Sequence, residues 1–162
     1  MERAMQSQEF NGHLVLLRGA CLWILMALIL AWCMVGIYND VPLFRTVFEG
    51  EFKRVLQAHL DFLIMSALIL GFYATKVSLP WHVRWAMVVG AFTNSSLFMI
   101  QAVFPTTDPE SVTYVTSGFW ASLFNIYLYS SLIMTSYGFG KGAVLVLKST
   151  FRHPNTETAE TP

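Results

Sequence analysis

From Leu14 to Ile37 the chain reads LVLLRGACLWILMALILAWCMVGI, with Arg18 as its one charged side chain. A helix crosses the hydrocarbon core of a bilayer in about 20 residues, and this run is long enough. In lipid, an isolated segment satisfies its own backbone only as a helix. Three later runs, 55–75, 83–104 and 117–139, have comparable length and apolarity, and Pro80 and Pro105 bracket the second of them. The pattern predicts an all-α, integral membrane four-helix bundle with spans at about 14–37, 55–75, 83–104 and 117–139. Composition agrees. The chain is 55% hydrophobic and 12% charged, against about 25% charged in soluble domains. Formal net charge is zero and no basic tract is present, which argues against a nucleic acid partner.

The first run is too long for a signal peptide and lacks a small-residue cleavage site, so it reads as a retained span. Residues 1–152 form a single four-span domain in this reading. The remainder, 153–162, is polar and proline-bearing and is expected to be disordered. Gly138-Phe139-Gly140 marks a weak point at the end of the fourth span, with a short helix expected to resume at 143–151. The connection at 38–54 is amphipathic and suits the membrane interface, and 105–114 is acidic. Trp81, in the tight turn at 76–82, suits the headgroup level. Cys21 and Cys33 lie about 18 Å apart along one helix, too far for a disulfide within that segment.

Charge placement orients the spans. One side carries Arg3, Arg18, Lys76, Arg84, Lys141, Lys148 and Arg152. The other carries Arg45, Lys53 and Arg54 among the acids Asp40, Glu49, Glu51, Asp108 and Glu110. The positive-inside rule then puts both termini in the cytoplasm of a multi-pass protein of the cell (inner) membrane.

A polar side chain in hydrocarbon is costly and faces the protein interior or a cavity. The informative residues are therefore His59 and Asp61 on the second span, Thr93, Asn94 and Gln101 on the third, and Asn125 on the fourth. Helical rise puts His59, Asn125, Asn94 and Gln101 about 6, 12, 15 and 5 Å from the outer ends of their spans. Asn94 and Gln101 share a helix face. The expectation is one polar pocket in the outer half of the membrane. The plainer readings stand beside it. Asn125 and Gln101 can serve as interhelical hydrogen-bond glue. Asp61 can reach water or pair with Lys53 or Arg54, and His59 can bond a neighbouring helix. No histidine is spaced to activate the pairs Ser95-Ser96 or Ser130-Ser131, which read as packing residues.

A buried imidazole can also ligate haem iron. His13, His82 and His153 all fall at the cytoplasmic edge, so no second histidine matches the depth of His59. Met65 lies about 9 Å along the same helix and cannot fill the sixth position of an iron held by His59. Unless a methionine sulfur from another subunit fills it, such an iron keeps an open coordination site, which favours ligand binding or Lewis-acid chemistry over electron relay.

Gly12-His13, Ala58-His59 at the head of the second span and Phe92-Thr93-Asn94 in the third together resemble styrene oxide isomerase, and more loosely the hydroxylaminobenzene mutases. The resemblance covers roughly residues 11–140, as scattered positions between hydrophobic stretches. It implies a homotrimer with haem b between subunits and His59 as the iron ligand. It implies an isomerase in which ferric haem acts as Lewis acid on an epoxide oxygen, giving an aldehyde with no net redox change. Asn94 would lie near the haem. Asn94 and Asp61 are the candidate catalytic residues, and Gln101 and Asn125 join His59 and Asn94 as candidate cofactor-binding residues. The chain departs from the family pattern at Met65-Ser66, in place of Asn-Gly, at Gly90, in place of Asp, and at Phe98, in place of Tyr. Asp61 is matched in charge by a glutamate in the mutases. Fewer polar groups suit a small, apolar substrate. The rival expectations are a non-catalytic haem-binding or partner-binding membrane protein, an arylhydroxylamine mutase, and a small transporter.

Overall fold

The computed structural model describes residues 2–151, with side chains from Leu14 to Phe151. The expected disordered tail at 153–162 lies outside the described residues. The helices are α1 (Glu2–Tyr38), α2 (Pro42–Val47), α3 (Phe52–Ala74), α4 (Trp81–Val103) and α5 (Phe119–Thr150), with a 3-10 turn at Pro105–Thr107. No strand occurs among the described residues.

Local chemistry explains the boundaries. Asp40 ends the α1 turn in the left-handed region at φ 55, which a short polar side chain tolerates. Pro80, with φ −56, leads into α4. Phe104 precedes Pro105, which disfavours the helical conformation, and α4 stops there with Phe104 at φ −120 and ψ 84. Gly118 turns into α5 at φ 113, a value that glycine adopts without steric penalty.

Three helical segments are long and apolar enough to cross a membrane: Leu14–Tyr38, Phe52–Ala74 and Trp81–Val103. The fourth expected span, 117–139, corresponds from Phe119 onward to α5, which is not among them. Its length suffices, but Ser122, Asn125, Tyr127, Tyr129, Ser130, Ser131, Thr135 and Ser136 dilute its apolarity.

Helices α1, α3 and α4 pack on one another. At one end Leu16, Ala20, Ile69, Val83, Met87 and Ala91 form an apolar cluster. At the other, Ala27, Leu30, Val55, Ala58, Phe62 and Ala102 do so. Trp23 joins them: its ring lies 4.7 Å from Phe92 and 6.2 Å from Phe62, centroid to centroid. Its Nε1–H donates to the Val88 carbonyl at 3.1 Å, so a tryptophan sunk among helices leaves no donor orphaned.

Helix α5 lies along α4 and meets α3 through Phe139 and Phe72, 6.0 Å apart. It runs unbroken through Gly138 and Gly140 to Thr150, where the sequence predicts a break. The reason is packing. A Cβ on Gly138 would stand 2.7 Å from the backbone nitrogen of Met87. The missing side chain is what lets the two backbones touch, as small residues do between membrane helices.

Candidate functional site

The site begins on α3, whose buried stripe is Val55, Ala58, Phe62, Ser66 and Ile69. His59 and Asp61 flank this stripe on opposite sides. Two residues of helix turn about 200°, or about 160° the short way round. Accordingly His59 faces α1 and Asp61 faces α4. The half-buried His59 ring has Nδ1 2.8 Å from the Ala27 carbonyl oxygen. A carbonyl only accepts, so Nδ1 carries the hydrogen. In the neutral ring the lone pair then sits on Nε2, which makes no hydrogen bond among the described residues.

On the other flank, Asp61 Oδ2 accepts from Asn94 Nδ2 at 3.0 Å and Ser95 Oγ at 2.8 Å. Ser95 Oγ also lies 3.0 Å from the Ala91 carbonyl. Asp61 therefore partners α4, and neither Lys53 nor Arg54. Gln101 is buried on α4, and its Oε1 has no partner among the described residues. Asn125 is exposed on α5, about 120° around that helix from Ser131, which faces α4. Of the five candidate catalytic or cofactor-binding residues, Asp61 and Asn94 are in direct contact. His59 and Asn125 face elsewhere, so one chain does not gather them into a single pocket. The two-residue spacing of His59 and Asp61 carries the signal for this split.

Met65, Ser66, Gly90 and Phe98 have structural roles here. A Cβ on Gly90 would come within 2.9 Å of Thr135 Cα, so this chain has no room for an aspartate there. Thr135 Oγ1 donates to the Gly90 carbonyl at 2.9 Å. The same α4–α5 seam holds Ser131 Oγ to Thr93 Oγ1 at 3.0 Å and joins Ser96 Oγ and Tyr127 Oη at 2.7 Å. Ser66 Oγ donates to the Phe62 carbonyl at 2.7 Å. Met65 and Phe98 are half-buried against the two apolar clusters.

A charged cluster where α3 begins escapes sequence reasoning. Arg54 and Asp108 are buried and joined by two hydrogen bonds, one from Nε to Oδ2 at 2.7 Å and one from an Nη to Oδ1. Arg54 also reaches Glu110 Oε1 at 3.0 Å and Gln57 Oε1 at 2.8 Å. Lys53 bonds Glu110 on the surface. The Arg54 hydrogen bonds hold the Asp108 carboxyl below its usual range despite burial. Lys53 does the same for Glu110. This cluster ties the 104–118 connection to the start of α3. The available signal was compositional: the connection at 105–114 is acidic and the Lys53-Arg54 pair is basic.

Beside that connection lies a cavity of about 630 Å³, lined by Ile100, Phe104, Trp120, Leu123, Phe124 and Tyr127 with Thr106 and Thr107 at its edge. That volume suits a small-molecule guest, and the walls suit an uncharged, apolar one. His59 does not line it. Among the described residues no three His, Cys, Asp or Glu side chains converge. The chain matches no family model, no curated protein and no solved structure.

Proposed function

We propose that the chain is a four-span membrane protein with both termini cytoplasmic. In this reading it binds haem b through His59 and rearranges a small, apolar oxygenated compound, an epoxide giving a carbonyl. The observation that carries the reading is the 2.8 Å contact of His59 Nδ1 with the Ala27 carbonyl. Metal-ligating histidines commonly donate their other ring N–H to a carbonyl, which fixes the tautomer and makes the ligating nitrogen more basic. That contact leaves Nε2 as the atom that would hold the iron. When bound, ferric haem supplies a Lewis acid for an epoxide oxygen.

The other residues then have defined tasks. The Ala27 carbonyl orients the imidazole. Asn94 and Ser95 hold Asp61 by Oδ2, leaving Oδ1 to accept a proton or orient a guest. Asp61 lies on the flank of α3 away from His59, so it serves a His59-held group only from a neighbouring copy. That geometry is consistent with a homotrimer carrying haem between subunits. The apolar walls of the α4–α5 cavity suit an uncharged substrate arriving from the bilayer.

The test is the absorption spectrum of the protein purified in detergent after haem-replete expression. The expected result is a Soret band in the wild type and its loss in His59→Ala with helicity unchanged. A preparation without that band would falsify the haem reading. A second reading, a non-catalytic haem-binding protein, is favoured by the tight packing at Gly90 and the apolar side chains at Met65 and Phe98. A haem-loaded protein inert towards styrene oxide and arylhydroxylamines selects it.

A further inference from the structure

The two ends of the molecule treat their cations differently. At the outer end every basic residue is paired: Arg45 with Asp40, Lys53 with Glu51 and Glu110, and Arg54 with Asp108 and Glu110. At the opposite end Arg18, Lys76, Arg84, Lys141 and Lys148 form no ion pair among the described residues. The acids whose side chains are described lie elsewhere, at the other end or, for Asp61, mid-span. A cation that is not held in an ion pair keeps its field for an external anion.

One group of side chains at that end is already assembled. Lys141 Nζ on α5 lies 3.3 Å from His82 Nε2 on α4 and 3.2 Å from Tyr137 Oη. It also stands 5.3 Å from the Tyr137 ring centroid. The Tyr137 ring lies 6.0 Å from the His82 ring, which has Trp81 edge-on at 5.8 Å. Donor accounting shows what is unused. An ammonium has three N–H donors; Lys141 directs one at His82 and one at Tyr137, so the third remains. Tyr137 accepts from Lys141, so its own O–H remains. Nearby, α4 starts at Trp81 with no side-chain cap, which adds the positive end of its dipole.

We propose that His82, Tyr137 and Lys141 form a binding site for the phosphate of an anionic membrane phospholipid. A lipid is the occupant because the site lies at the membrane-entry end of α4, an apolar span beginning at Trp81. The flanking rings Trp81, Trp85 and Tyr137 are 69%, 51% and 44% exposed, as suits aromatic side chains at headgroup depth. Lys148, seven residues beyond Lys141, continues the same helix face outward. The inference is independent of haem at His59.

The experiment titrates the full chain, in detergent, with phosphatidylglycerol or phosphatidylcholine of matched acyl chains and counts bound lipids by native mass spectrometry. Phosphatidylglycerol should be retained in preference. Lys141→Gln should weaken that retention by about fivefold, the effect of one basic residue at an anionic surface, and Lys141→Arg should restore most of it. Lys141 is exposed, so helicity should be unchanged in both variants. Equal retention of the two lipids, or Lys141→Gln indistinguishable from wild type, overturns the proposal. Inorganic phosphate is the remaining arm. If it competes with the lipid only in large excess, the lipid assignment stands. If it binds as tightly without lipid, the site takes a soluble anion and the assignment falls.

Discussion

Replacing Asp108 by Asn tests whether the Arg54 cluster holds the 104–118 connection to the start of α3. The Arg54 and Asp108 side chains are 7% and 2% exposed. Removing one partner of such a buried pair destabilises by about 3–5 kcal/mol, because the other charge is stranded. Arg54 would still have Gln57 at 2.8 Å and Glu110 at 3.0 Å. The expected loss is therefore at the lower end, about 3 kcal/mol. The double variant Arg54→Met/Asp108→Leu strands no charge and should recover most of it. Acid titration gives a second readout. The Asp108 and Glu110 carboxyls sit below their ordinary values of 3.8 and 4.5. The unfolded chain then binds their protons more readily than the folded one. Their contribution is full above the ordinary values and disappears as pH falls through the lowered ones. The wild type should lose stability on acidification through that window, and Asp108→Asn should show a shallower acid limb. The assay is unfolding in mixed micelles, followed by helicity and tryptophan fluorescence. A loss under about 1 kcal/mol, as for an exposed pair, with an unchanged acid limb, refutes the reasoning.

Gly138→Ala and Gly140→Ala should move stability in opposite directions in the same assay. The first drives a Cβ to 2.7 Å from the Met87 backbone nitrogen and should cost roughly 1–3 kcal/mol through overpacking. The second meets nothing within 4 Å and should gain up to about 1 kcal/mol of helix propensity. Phe62→Ala empties a fully buried position between Trp23 and Phe92. Its loss should be about 3 kcal/mol, the low end for Phe→Ala, because lipid tails match the core in apolarity and only packing is lost. His59→Ala should abolish a Soret band while leaving helicity intact, and Lys141→Gln should reduce phosphatidylglycerol retention about fivefold.

The helices were legible because their cause is local. A long apolar run closes its own backbone hydrogen bonds wherever it sits in a membrane, and Pro80 and Pro105 set boundaries through their own dihedral limits. For the same reason the sequence determined that His59, Asp61, Asn94 and Gln101 are polar groups on apolar helices. What it left open was the neighbour of each. Helical periodicity gives the angle between His59 and Asp61, but not that α1 covers one flank and α4 the other. Only the folded chain decided that Arg54 closes on Asp108, 54 residues away. Nor could composition show that the Gly138-Phe139-Gly140 stretch continues α5: the glycine that weakens an isolated helix is the one that lets α5 touch α4. Segment chemistry belongs to each residue with its near neighbours in sequence. Pairing depends on which helices lie side by side, and that is set by the packing of all of them at once.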